Sequence, residues 1–188
     1  MEITFRDLIT VIHGMGFGAL FMLAFSGAIG VIYATAVAGP QWPASPRDTR
    51  MFRFYLVSMA VLAWLTVLSG AYIVYPWYRA VPPAGTTDLS AFPQRLLMSS
   101  PHTAGWHNLG MEWKEHIAWF TPMAMTMVAY VFIKYGPQLA RHRQLRNAVL
   151  GFTGAAFVAT AVASGFGALL NKTAPIRGGH IIVLLREK

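Results

Sequence analysis

Residues 8–37 read LITVIHGMGFGALFMLAFSGAIGVIYATAV, a run of 30 residues without an Asp, Glu, Lys or Arg. As a helix, this run exceeds the roughly 20 residues that cross about 30 Å of bilayer hydrocarbon. Three more apolar runs follow at residues 54–75, 117–133 and 148–170. The pattern predicts an all-α integral membrane protein, a bundle of four transmembrane helices. The first run is too long for a signal peptide and its leader is not basic, so we expect it to be retained.

The composition supports the same class. Of 188 residues, 55% are hydrophobic and 12% are charged, and the mean hydropathy is +0.47; a soluble domain carries about 25% charged residues. The length fits one domain, residues 1–188. Because the chain has no cysteine, the sequence excludes a disulfide, an iron–sulfur cluster and a c-type haem attachment. Any bound metal or haem iron must use His, Met or carboxylate ligands.

The distribution of charge predicts the orientation. A net charge of +8 could indicate a nucleic-acid partner, but in a membrane protein an excess of Lys and Arg is a topology signal. The connections after the first and third runs carry seven Lys or Arg and one Asp. The rest of the extramembrane chain carries eight Lys or Arg and six Asp or Glu. Since basic residues in short connections stay in the cytoplasm, we expect both termini, an outer loop at 79–113 and an outer tail at 176–188 on the opposite, outer face. We expect no nucleic-acid partner.

The sequence of two outer segments predicts a helix start and a strand. Ser100 followed by Pro101 is typical of a helix N-cap with proline at the first helical position, so the third helix is expected to begin near Pro101 and to continue to Tyr135. Residues 180–185 are too few to span a membrane and are rich in β-branched side chains, which favours a strand. We expect this strand to lie on the outer surface or to pair with a partner chain.

The histidines are the ionisable residues that need an explanation. Among six, only His13 lies within an apolar run, and His116 stands at the start of another. Helices one and three both start at the outer face, so these two imidazoles can face one another across the bundle. Two neutral imidazoles on facing helices are what a b-type haem needs for its iron, and Gly14, Gly16 and Gly18 leave room for a flat macrocycle. The alternative is an ordinary glycine helix contact, with His13 bonded to a backbone carbonyl.

The segment before the third run offers further ligands. Glu112 precedes His116 by four residues, so its carboxylate can accept the second ring N–H and orient the imidazole. His102 and His107 are alternative axial ligands, because a helix that begins at Pro101 carries them above the bilayer. These four side chains could instead form a copper, zinc or iron site, or simply a polar cap at the interface.

Three basic residues near the outer face, Arg79, Arg95 and Lys114, could pair with haem propionates. Each could equally be an interfacial cation whose stem covers apolar surface. No nucleophile–base pair or catalytic motif stands out, so electron transfer is expected rather than catalysis by this chain alone.

With His13 in helix one, His116 in helix three and the glycines beside His13, the chain resembles the bacterial b-type cytochrome membrane subunits. In that class a four- or five-helix bundle carries haem between its helices. The resemblance is architectural and covers the four spans. It implies a haem b subunit of a multi-subunit redox complex in the bacterial inner membrane, with other membrane and periplasmic subunits as partners. Such a subunit passes electrons at the outer face between a quinone pool and a periplasmic partner. The alternatives are a cofactor-free structural or anchoring subunit and a non-haem metal-binding membrane protein.

Overall fold

The computed structural model describes residues 1–38, 45–139 and 141–184. Within these ranges four helices are long and apolar enough to cross a membrane, which confirms the number of predicted spans. We call them spans 1 to 4: Phe5–Ala34, Pro46–Tyr78, Pro101–Tyr135 and Arg143–Thr173. Helical structure in span 1 continues to Ala38. Of the predicted outer tail, the last four residues lie outside the described ranges: Leu185, Arg186, Glu187 and Lys188.

Side-chain caps determine where spans 2 and 3 begin. The Ser45 hydroxyl accepts the backbone N–H of Asp48 at 3.2 Å, and the Ser100 hydroxyl accepts the backbone N–H of His102 at 3.3 Å. In both cases a proline occupies the first helical position, where its missing N–H costs nothing. The predicted start of the third helix at Pro101 is therefore confirmed, and this helix extends 16 residues ahead of the apolar run at 117–133.

Three of the spans contain a π-helical segment. These segments are Ile12–Ala19 in span 1, Gly70–Val74 in span 2 and Trp106–Met111 in span 3. All three lie toward the end of the bundle that carries the chain termini and the connection at 79–100, which we call end A. The opposite end, where span 3 leads into span 4, is end B. Because π segments occur frequently at functional sites, their position favours end A as the location of a functional site.

A two-stranded antiparallel sheet joins the two ends of the chain. Strand β1 (Glu2–Thr4) pairs with β2 (Ile181–Val183), with Ile3 opposite Ile182. The predicted strand at the C-terminal tail is confirmed, and its partner is the N-terminus of the same chain. Gly178 and Gly179 turn the chain into β2 with φ of +113° and +86°, values that favour glycine. The turn brings His180 to stack on Phe5, with ring centroids 4.9 Å apart.

The interior of the bundle divides into two apolar clusters. The larger one follows the middle of the four spans and includes Phe21, Leu56, Met125, Phe132 and Ala156. The smaller one closes end A, where a short helix in the connection, Pro93–Met98, buries Leu97 against the spans. Neighbouring spans pack in the order 1, 2, 3, 4 and back to 1, so spans 1 and 3 lie diagonally. Large apolar side chains such as Leu23 and Phe54 face outward, exposed by 73% and 74%, as a lipid-facing surface requires.

Hydrogen bonds between spans supplement this packing. The Tyr55 hydroxyl donates to the carbonyl of Ala24, joining spans 2 and 1. The hydroxyls of Thr121 and Thr160 lie 2.9 Å apart between spans 3 and 4. Since lipid offers little hydrophobic drive for helix association, such bonds and small residues hold the helices together.

Candidate functional site at end A

His13 lies in the π segment of span 1, half-buried against span 2. Its Nδ1 is 2.9 Å from the Ser69 hydroxyl, which itself donates to the carbonyl of Thr66 at 3.1 Å. A hydroxyl has one proton to donate, so Ser69 accepts from His13 and the Nδ1 atom carries the ring proton. The lone pair of the neutral imidazole is therefore on Nε2, the atom with which a histidine can bind a metal.

Gly70 makes this placement of the imidazole possible. A Cβ atom at Gly70 would lie 2.8 Å from Cε1 of His13, closer than real Cβ contacts. The ring of His13 thus occupies the space that a side chain at the start of the π segment of span 2 would fill. Span 2 therefore accommodates His13 in two ways: the Ser69 hydroxyl bonds its ring, and the lack of a side chain at Gly70 leaves space for it.

His116 has a similar hydrogen-bond pattern in a different environment. Its Nδ1 lies 2.9 Å from the backbone carbonyl of Glu112 and 3.6 Å from that residue's Oε2 atom. A carbonyl only accepts, so Nδ1 carries the proton and the Nε2 lone pair is again available. The side chain of His116 is 71% exposed and that of Glu112 50%, so both lie on the outside of the bundle.

The structure does not bring His13 and His116 together. Lys114 is an electrostatic neighbour of His13, and its side chain reaches span 4. His116 follows two residues later, which is about 200° further around the helix, so it points away from the interior. Within the described residues, no hydrogen bond, ion pair or ring contact joins the two histidines.

Lys114 and Glu115 place charge inside the end-A half of span 3. The Lys114 ammonium donates to the carbonyl of Ala163 at 3.3 Å, and it would lie 3.0 Å from a Cβ at Gly167. The small residues of span 4 therefore give the ammonium access to the backbone. Glu115 is an electrostatic neighbour of Tyr75, and its Oε1 atom is buried. Ionisable groups placed in this way within a membrane helix are functional candidates, because burying them is costly.

His107 is the most buried of the described histidines, with 8% of its surface exposed. Its Nδ1 is 2.8 Å from the Tyr78 hydroxyl and its Nε2 is 3.2 Å from the amide nitrogen of Gln94. The amide N–H₂ can only donate, so Nε2 accepts and Nδ1 donates to Tyr78. Both ring nitrogens are occupied, and His107 ties the connection at 79–100 to spans 2 and 3.

The remaining predicted residues are Gly14, Gly16, Arg79, Arg95 and His102. Gly14 and Gly16 have open space where a Cβ would stand, apart from Ile12 of the same helix. The guanidinium of Arg79 lies over the Tyr75 ring, 5.6 Å from its centroid, and Arg95 is exposed on the short helix of the connection. His102 is exposed in the first turn of span 3. Within residues 1–38, 45–139 and 141–184, no group of three or more His, Asp or Glu is arranged to hold a metal ion.

Comparisons with protein families, with curated proteins and with solved structures find no match for this chain.

Sequence reasoning missed the partners that define the environment of His13. Ser69 and Gly70 stand at the end of a plain apolar run and carry no motif. Lys114 was interpretable as an interfacial cation because the apolar run starts only at residue 117. The one available signal was the helix start at Pro101, which places Lys114 about 20 Å inside a continuous helix.

Proposed function

We propose that this chain is a haem b-binding membrane subunit of a multi-subunit redox complex. In this proposal it passes electrons at the outer membrane face between a quinone pool and a periplasmic partner. The observation that carries the proposal is the hydrogen-bond pattern of His13 and His116, from which their tautomers follow. Each holds its Nδ1 proton in a hydrogen bond and leaves the Nε2 lone pair available, as an axial haem ligand does. His107 uses both nitrogens and does not share the pattern.

The donor set fits a b-type haem in its chemistry. The chain offers imidazoles and no thiolate, and the Ser69 hydroxyl and the Glu112 carbonyl would fix the orientation of the two rings. His13 is the ligand expected inside the bundle. His116 faces outward, so as a ligand it would act at an interface with another subunit. Bound haem would supply one-electron transfer, and the protein's part is to hold the iron, exclude water and set the local charge.

A reduced-minus-oxidised absorbance spectrum with pyridine haemochrome quantitation tests the proposal on protein purified from membranes. We expect haem b in the wild type and its loss in His13→Gln, because glutamine lacks the imidazole lone pair. His116→Gln tests the outward-facing ring separately, and we expect it to lose haem in the assembled complex, where another subunit lies against this ring. His180→Gln is the matched control, since His180 stacks on Phe5 away from both ligands, and its spectrum should be unchanged.

A wild type without a Soret band would contradict the haem proposal. It would favour the cofactor-free anchoring subunit, for which the hydrogen-bonded His13 and the packed His107 are purely structural. Metal analysis of the same preparation would identify a non-haem metal protein by stoichiometric copper, zinc or iron.

The proposed orientation places end A outside and end B in the cytoplasm, in the bacterial inner membrane. The chain has no cysteine, so single cysteines report position without background. We expect a membrane-impermeant maleimide to label Asp88→Cys in intact cells, because this exposed residue lies in the connection at end A. Gln144→Cys, exposed at end B, should be labelled only after lysis. Labelling in the reverse order would place both termini in the cytoplasm.

A further inference from the structure

A second candidate site lies at end B, at the opposite end of the bundle from His13, His107 and His116, and His142 is among its lining residues. Residues where span 3 leads into span 4 line an open cavity of about 470 Å³. Its walls include Arg141 and Arg143, with Gln138, Gln144 and Tyr135 beside them. The volume falls within the range of small-molecule sites, about 300–1,000 Å³.

The described residues that line the cavity are basic or neutral, and none of them is a carboxylate. Asp48, the one acidic residue in the sequence at end B, accepts a hydrogen bond from the Ser45 hydroxyl at 2.8 Å. No ion pair joins Arg141 or Arg143 to a carboxylate within the described residues. Guanidinium groups present a planar fork that matches the oxygens of a phosphate.

The position of the cavity along the helices indicates where its ligand comes from. Tyr135 is the last residue of span 3 and Arg143 is the first of span 4, so the cavity lies where the membrane-crossing helices end. Lipid phosphates occupy this level, just beyond the hydrocarbon. The first turn of span 4 has no side-chain cap at His142, so backbone N–H groups there are available to an anion.

We propose that this cavity binds the phosphate headgroup of an anionic phospholipid, with Arg141 and Arg143 as its principal contacts. Basic pockets between membrane helices bind anionic headgroups through the same combination of charge and depth. The glutamine side chains would donate further hydrogen bonds to the phosphate or to the headgroup. This site is independent of the haem proposal, because it shares no residue with end A.

Lipid binding to the full chain in detergent, measured by native mass spectrometry, tests the proposal. The probes are phosphatidylglycerol, phosphatidylcholine as the zwitterionic counterpart, and inorganic phosphate as competitor. We expect phosphatidylglycerol to bind more tightly than phosphatidylcholine. The double variant Arg141→Gln with Arg143→Gln should bind phosphatidylglycerol about 30-fold more weakly, given the contribution of each basic residue to anionic lipid binding.

Two further variants control for a general loss of charge and for misfolding. Lys172→Gln with Arg177→Gln removes the same charge from exposed positions at end A and should leave phosphatidylglycerol binding unchanged. Arg141→Lys with Arg143→Lys keeps the charge but removes the guanidinium fork, so its affinity should fall between those of wild type and the glutamine variant even if the latter folds poorly. Unchanged affinity in the glutamine variant, an equal loss in the end-A pair, or displacement of the lipid by inorganic phosphate would each overturn the proposal.

Discussion

Replacement of His107 by alanine is expected to lower the free energy of unfolding by about 3 kcal/mol. The imidazole bonds the Tyr78 hydroxyl on one side and the Gln94 amide on the other. Alanine would remove both bonds, leave the Tyr78 hydroxyl without its partner and open a cavity beside Tyr78, which belongs to the apolar cluster at end A. Each lost bond costs about 1 kcal/mol, and a buried orphaned group costs more.

The expected loss of stability is local as well as global, because His107 holds the connection at 79–100 against the bundle. Thermal unfolding followed by tryptophan fluorescence gives the change in stability, because Trp77 and Trp106 pack against the same cluster. Trypsin should cut faster after Arg95, which is exposed on the short helix beside Gln94. His102→Ala is the control: His102 is exposed, and its loss should change stability by less than about 0.5 kcal/mol. Equal effects of the two substitutions would show that the His107 network does not hold the connection.

The contrast between His107 and His116 shows what the sequence could and could not predict about the site. The sequence places His116 closer than His107 to the apolar run at 117–133 along span 3. Burial, however, depends on which segment folds over each face. The helix Pro93–Met98 covers His107, and nothing in the local sequence specifies where that helix will dock.

The four spans and the strand at the tail were predictable because they rest on local patterns. An apolar run of sufficient length forms a membrane helix whatever its neighbours, and Ser100 with Pro101 specifies a helix start by its own chemistry. The partner of β2 was not predictable, because Glu2–Thr4 is only three residues long and carries no strand pattern. The pairing of β1 with β2 depends on the turn at Gly178 and Gly179, which brings β2 to the N-terminus.

The rotation of span 3 about its axis is the step that sequence reasoning could not supply. Spacing gives the angle between residues on one helix, about 100° per residue, but the absolute direction depends on packing against other helices. The small residues Ala163 and Gly167 of span 4 accept Lys114, and this contact turns His116 outward. The facing arrangement of His13 and His116 expected from their axial levels is therefore not the one in the structure.

Replacement of Lys114 by methionine is expected to raise stability while changing the chemistry at His13. The ammonium is held inside the bundle by one hydrogen bond on the Ala163 carbonyl, so removing its desolvation cost should raise the free energy of unfolding by about 1–2 kcal/mol. Methionine has a similar length and fills the same space. Lys172→Met, at an exposed position of span 4, is the matched control and should leave the thermal midpoint nearly unchanged.

The second readout of the same variant is the reduction potential of the haem that we propose His13 binds. Lys114 is an electrostatic neighbour of this histidine, and a positive charge near the iron favours the reduced state, which carries one positive charge less. Loss of the charge should lower the midpoint potential by on the order of 50 mV, equivalent to roughly 1 kcal/mol for one electron. A purely structural lysine would alter the melting temperature alone. A variant that is more stable and yet shifted in potential would indicate that the chain keeps a costly buried charge because the redox centre needs it.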